Sequence, residues 1–546
     1  MAHSPGRSDA DSLDTKEKAI EAFTHIENID SKNDQAKTKG LSADDRVWLA
    51  NMEPKEQSRI YHKVDKRVVP MLALLYLIAH LDRANIGNAK IEGLETSLGM
   101  TGNDYNIALV VFSIPYVLCE VPSNILLSKF TKPSFYIGIL VTCWGIIMTM
   151  SGVTESFAGL LVTRFLIGVF ESGFFPGAIW LVSEWCPPQK TQTRMACFYL
   201  ASAASGAFSG LLAAGLAQMD GLGGYEGWRW IFIMEGIVSV LMGALCFFAL
   251  PDSPTTAKWL TPDETKFLEL SHIAYRGVRT KDKKNADGER KRRVNWQVIK
   301  AVVTDWQLYL QSIVFWSNTV PNYGLKFTMP SIIRNMGFAS TQAQLLTAPP
   351  YVCGAIAAVV SALVADKLAW RMPFIVGHQL LLVISFSVLF CFAADIADNV
   401  PLCYAMVCLV CVGLYPIIPG NNSWTINNLA GAGKRAAGIA FMVKAPSFFP
   451  TASSLLILSQ IMIGNSGGFA GSFIFLEREA PRYATGFGSS LGFATAGIIA
   501  ALTLEFLYWS HNKRHEHLTE QEAIARYGEE ELERMGDKSP LFKYAL

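Results

Sequence analysis

Twelve stretches of about 20 predominantly apolar residues recur along the chain, and each is long enough to cross the hydrocarbon core of a bilayer as a helix. A backbone inside lipid must satisfy its own hydrogen bonds, so these stretches restrict the fold to an all-α membrane protein. Composition agrees: of 546 residues, 51% are hydrophobic and 17% charged, against about 25% charged in a soluble domain. The net charge is only +1. A soluble enzyme and a nucleic-acid-binding protein are both poor readings of such a chain. The N-terminal residues (MAHSPGRSDADSLDTKEKAIEAF) are polar and lack the apolar core of a signal peptide. The first span is therefore expected to serve as the anchor.

The spans are predicted at 68–90, 106–127, 134–153, 157–181, 195–217, 230–250, 306–328, 345–365, 373–393, 401–425, 436–475 and 486–509. Lys and Arg collect in alternate loops: SKFTKPS, PPQKTQTR, the 251–305 linker with KDKK and ERKRR, DKLAWR and AGAGKR. The intervening loops are short, acidic or neutral, as near Glu155 and in ADIADN. Cytosolic loops hold the basic excess, which places both termini and the central linker in the cytosol. The expected organisation is a cytosolic tail (1–66), a six-helix half (67–250), a cytosolic linker (251–305), a second six-helix half (306–510) and a C-terminal tail (511–546). Two six-span halves around a midplane cavity are the outline of a secondary transporter.

Other motifs carry little. GAGKR (Gly431 to Arg435) lacks the spacing and the hydroxyl of a P-loop, so no ATP-driven pump is expected. The ten cysteines fall almost entirely in apolar runs, and Cys408 and Cys411 read as buried hydrophobes rather than metal ligands. The Asn421-Asn422-Ser423 sequon lies at the cytosolic end of a span, out of reach of glycosylation. Residues 1–45 have the composition of a disordered tail, and QEAIARYGEEELERMG that of a short surface helix. No metal and no cofactor is expected; an ion gradient supplies the driving force.

A charged side chain near mid-span costs about 2.5–3.5 kcal/mol, so each one demands a reason. The first half holds His80, Asp82, Arg83, Glu120, Arg164, Glu171 and Glu235; the second offers only Lys326 and His378. Arg164 and Glu171 are two helical turns apart, on one face, with Gly168 between them to admit a helix or a ligand. Asp82 and Arg83 are about 100° apart, so one faces the cavity while the other pairs across an interface. With Asp82 and Glu171 ionised, each competes with an anionic substrate for an arginine. Their protonation leaves Arg83 and Arg164 to grip a carboxylate, so proton and anion bind together. The alternative is that the four only fix packing as interhelical ion pairs. Lys326 supplies a third cation from the opposite half, with Tyr323 beside it, or else snorkels to an interface. Asn421, Asn422, Trp424 and Asn427 read as gate or packing residues that also come within reach of substrate. Neighbouring helices are expected to satisfy His80 and His378, and loop cations to pair with Glu120 and Glu235.

At these residues the sequence resembles the anion:cation symporter branch of the major facilitator superfamily, and within it the fungal allantoate permease family. The matching strings are LDRANIGNAKIEGL, EVPSN, RFLIGVFESGFFPG, GWRWIFIMEG, LPDSP, LLTAPPY, WTINNLAGAGKRAAGIA, GNSGG and APRYATGFG. The resemblance implies proton-coupled uptake of a small organic anion or vitamin, such as allantoate, ureidosuccinate, nicotinate, pantothenate or biotin, by a monomer in the plasma membrane. It associates proton coupling and anion binding with Asp82, Arg83, Arg164 and Glu171. A non-transporting nutrient sensor on the same fold is the alternative.

One segment breaks the pattern. The apolar run from Ala436 is about twice the length of a span, and removing 443–460 (VKAPSFFPTASSLLILSQ) restores the family's register as GIAFM-IMIGNSGG. Its ends are codable as GT and AG, which suggests a retained intron translated in frame; a re-entrant or helical insertion, which could inactivate the chain, is the alternative. A spliced transcript that keeps these codons sinks the intron reading.

Overall fold

The structure is a computed structural model, and it describes residues 43–127, 130, 132–186, 188–276, 306–368, 370–428, 466–515, 518, 520–528 and 539–544. Most of the expected 436–475 span, including 443–460, lies outside the described residues.

Two compact units are present. The described part of the first comprises α1 (Ala43–Ala50), the opening turns of α2 (Pro54–Ile91) as far as Lys63, Trp185 with Cys186, and the 254–276 segment with α9 (Pro262–Arg276). Lys63 Nζ bonds Glu264 at 2.6 Å, Trp185 and Trp259 stack with centroids 5.6 Å apart, and Lys266 pairs with Asp45 at 3.3 Å.

The second unit is a bundle of long helices. Its first half comprises the rest of α2, α3 (Asp104–Leu127), α4 (Pro133–Gly152), α5 (Phe157–Glu171), α6 (Phe174–Trp185), α7 (Pro188–Ala217) and α8 (Gly227–Ala249). Its second half comprises α10 (Trp306–Arg334), α11 (Ala348–Leu368), α12 (Met372–Phe392), α13 (Val400–Asn428), a helical stretch over 466–474 and α14 (Ala484–Arg514). Beyond it α15 (Glu520–Tyr527) covers the beginning of the stretch read as a surface helix, the rest of which lies outside the described residues. Eight stretches among the described residues are helical, long and apolar enough to span a membrane.

The element ends follow local chemistry. Pro133 opens α4, where a missing N–H costs nothing, and the Ser156 hydroxyl caps α5 by accepting the Gly159 N–H at 3.3 Å. The predicted single span at 157–181 is broken between Glu171 and Phe174, where a Cβ on Gly173 would lie 1.9 Å from Ser123 Oγ. In lipid, helices pack through small residues that let backbones approach. α4 and α8 do so closely: a Cβ on Gly145 would lie 2.6 Å from the Val240 nitrogen, and one on Gly236 2.4 Å from the Thr149 nitrogen.

The two halves meet at the end of the bundle where α2 finishes. Lys90 Nζ bonds Glu477 at 2.5 Å and Glu95 at 3.5 Å, and lies 4.2 Å from the centroid of Tyr105. Asn106 donates to the carbonyl of Ser472 at 2.5 Å, Arg334 to that of Ile91 at 2.9 Å, and Gln344 to Glu92 at 3.0 Å. At α14, the 539–544 segment docks through Tyr544, stacked on Tyr508 at 4.5 Å. Asn512 holds the backbone of Tyr544, donating to its carbonyl and accepting its N–H, both at 2.8 Å.

Candidate functional site

Arg83 lies on the face of α2 turned toward α3 and α5. Its Nε donates to Glu171 Oε1 at 2.5 Å, and both side chains are buried. The guanidinium carbon is 4.3 Å from the Tyr116 centroid and 5.4 Å from that of Phe112, an i,i+4 aromatic pair on α3. A planar cation between π faces loses less on leaving water than an ammonium would. From α10, the Tyr323 hydroxyl sits beside the same guanidinium. Lys326 is half-buried, and its Nζ is 2.9 Å from His80 Nδ1, whose ring lies edge-on to Tyr76 at 4.5 Å. Lys326 thus reaches the opposite half rather than an interface. Of the predicted residues, Arg83, Glu171, Tyr323 and Lys326 therefore converge.

Asp82 is turned away from that group. Its Oδ2 accepts the Trp144 indole N–H of α4 at 3.1 Å and the Ser239 hydroxyl of α8 at 3.0 Å. Arg164 lies over Phe232 at 5.2 Å, within electrostatic reach of Asp82 and Glu171. It is buried, and its Nε and Nη2 have no hydrogen-bond partner among the described residues. Gly168 serves a helix rather than a ligand: a Cβ there would lie 2.3 Å from the Phe112 carbonyl oxygen of α3.

The residues of α13 lie apart from this set. Trp424 is buried edge-on to Tyr508 at 5.8 Å, Asn421 is buried with both amide atoms unpartnered among the described residues, and Asn422 is half-buried. The Asn427 side chain lies outside the described residues. Two secondary expectations change. Glu235 meets the Asn85 amide on α2 instead of a loop cation, and His378 bonds the Phe374 carbonyl of its own helix at 2.6 Å instead of a neighbour. Tyr116, Phe112, Trp144, Ser239 and Asn85 were missed. The usable signals were the i,i+4 aromatics and an Asn one turn from Asp82 on the same helix.

A profile of the Major Facilitator Superfamily matches residues 72–449. The chain belongs to that superfamily. Among its relatives is the MFS-type transporter cnsO of Penicillium expansum, 32% identical over 558 aligned positions, which cover 100% of this chain and 98% of the relative. The high-affinity nicotinic acid transporter of Saccharomyces cerevisiae is 27% identical, covering 97% of this chain and 93% of that one. A solved bacterial homolog of the human lysosomal transporter Spinster, inward-facing and occupied, superposes with a TM-score of 0.56 at 16% identity, covering 80% of this chain and 95% of its own. The major facilitator fold and a transporter's role follow, as does multi-pass residence in a membrane.

Proposed function

We propose that this transporter is a proton-coupled importer of small organic carboxylates, of the anion:cation symporter branch and its allantoate permease family. The observation that carries the reading is the buried Arg83–Glu171 bond at 2.5 Å: a carboxylate of the protein occupies the arginine that a substrate carboxylate would use. Protonation of Glu171 removes its charge and frees the fork of Arg83, so a proton must arrive for the anion to bind. Asp82 stands in the same relation to Arg164, at longer range. Lys326 and Tyr323 bring the second half onto the same anion, so substrate bridges the halves and favours their closure.

The positive-inside pattern turns the end held by Lys90 and Glu477 outward and puts both termini in the cytosol, so the closed joint faces the outside. A plasma-membrane monomer driven by the proton gradient suits the reading. The nicotinic acid relative supports a carboxylate cargo of that size, with allantoate, ureidosuccinate and pantothenate as further candidates.

Uptake of labelled nicotinate and of a panel of competing carboxylates, at acidic and neutral external pH, tests this. Uptake is expected to rise at acidic pH and to fall at least tenfold in Arg164→Ala. Uptake indifferent to pH would refute the coupling, and an unaffected Arg164→Ala would remove that arginine from the anion site.

A further inference from the structure

Glu235 has no part in that scheme, yet it is buried beside the residues that do. On α8 it lies one turn before Ser239, and it faces α2, where Asp82 and Asn85 are likewise one turn apart. Asn85 donates its amide to Glu235 Oε2, and Ser239 donates its hydroxyl to Asp82 Oδ2 at 3.0 Å. These two rungs bring the carboxylates within reach of each other's charge. Asp82 is 2% and Glu235 5% exposed, and Asp82 Oδ1 and Glu235 Oε1 have no partner among the described residues.

The charges that face this pair are few. Glu235 meets Asp82; Asp82 meets Arg164 and, beyond it, Glu171, which is bonded to Arg83. Arg83 and Glu171 cancel, and Lys326 on α10 acts on those two and bonds His80. Asp82, Glu235 and Arg164 do not cancel: with both carboxylates ionised the set carries one excess negative charge in the membrane interior, and none of the three is in an ion pair among the described residues. A buried uncompensated carboxylate is expensive enough that neutralisation wins over ionisation. One proton balances the set.

The hydrogen bonds decide where that proton sits. An ionised carboxylate needs donors. Asp82 has two on one oxygen, from Trp144 and Ser239, together with the guanidinium of Arg164 in range. Glu235 has one, from a neutral amide. We infer that Glu235 holds a proton in this conformation and is a further proton site of the transporter, with Asp82 ionised against Arg164. Its place in the transport cycle rests on the proton-coupled reading above; its protonation does not.

Infrared spectra of the full chain in lipid bilayers at neutral pH test the assignment without any substrate. The carbonyl stretch of a buried protonated carboxylic acid, shifted by deuteration, is expected in the parent, lost in Glu235→Gln and kept in Asp82→Asn. Glutamine preserves the acceptor for Asn85, so the helix contact survives. Asn85→Ala supplies a second route: it leaves the acid in place and shifts its band by removing a hydrogen bond. A band that survives Glu235→Gln, that vanishes in Asp82→Asn alone, or that Asn85→Ala leaves unmoved overturns the inference. Uptake by the parent that ignores pH would defeat the symport reading while leaving the band where it is, so the two failures are distinguishable.

Discussion

Gly168 is the residue at which the charge cluster is made possible. It sits between Arg164 and Glu171 on α5, and the carbonyl of Phe112 occupies the space a side chain would take, at 2.3 Å from an added Cβ. Because the obstacle is backbone, no rotamer change relieves it. Gly168→Ala is expected to push α3 from α5 and lower stability by about 1–3 kcal/mol, read as a drop in the melting temperature of the solubilised protein. An unchanged melting temperature would show that the helices separate freely. Arg83, Arg164, Asp82 and Glu171 are legible in the sequence because a charge inside an apolar run is costly whatever the fold. Their partners are not. Whether Arg83 or Asp82 turns toward Glu171 depends on how each helix is rotated about its axis, and a hydrophobic run leaves that rotation undetermined. Glu235 shows the same limit: its place on α8 was legible, but its contact with Asn85 on α2 was not.

At the scale of elements, the break between α5 and α6 is the least legible feature and has a local cause. The Ser172 hydroxyl donates back to the Val169 carbonyl at 2.7 Å, and Ser123 on α3 fills the space against Gly173 while bonding Tyr136 on α4. A hydropathy window sees an unbroken run there, because the interruption lasts only from Glu171 to Phe174 and leaves polarity alone. Gly173→Ala is expected to force the Ser123 hydroxyl away from Tyr136 and reduce thermal stability, and Ser123→Ala in the same chain to recover part of the loss. Simple addition of the two effects in a double-mutant cycle would argue against a shared space. α2 differs from the prediction in a complementary way. It begins at Pro54 rather than near residue 68, because its first turns are polar and join the first compact unit, where apolar length has no bearing.

Across the whole molecule, the joint between the halves depends on charge at the end where α2 finishes. Burial raises the carboxyls of Glu92 and Glu95 above their ordinary value, Arg334 and Lys90 respectively pulling them back in part. Both groups lie beyond α2 and regain water when the halves part. The closed joint therefore binds protons more tightly than the open one. Its stabilisation is complete below the ordinary carboxyl pKa of about 4.3 and fades as pH rises through the raised values. Distances between spin labels on the two halves are expected to lengthen with rising pH, and Lys90→Ala to lengthen them at every pH by removing the bond to Glu477. Distances that ignore both changes would assign the joint to the hydrogen bonds that Asn106 and Arg334 make to backbone carbonyls. The seam of α4 and α8 constrains the rest of the motion. Trp144 adjoins Gly145, and Ser239 adjoins Val240, so the two donors that hold Asp82 sit on a close backbone contact of the first half. That seam has no slack with which to absorb a change of charge on Asp82. The displacement is passed instead to α2, which meets the seam there through side chains, making that helix the lever and the α4–α8 pair its fixed fulcrum.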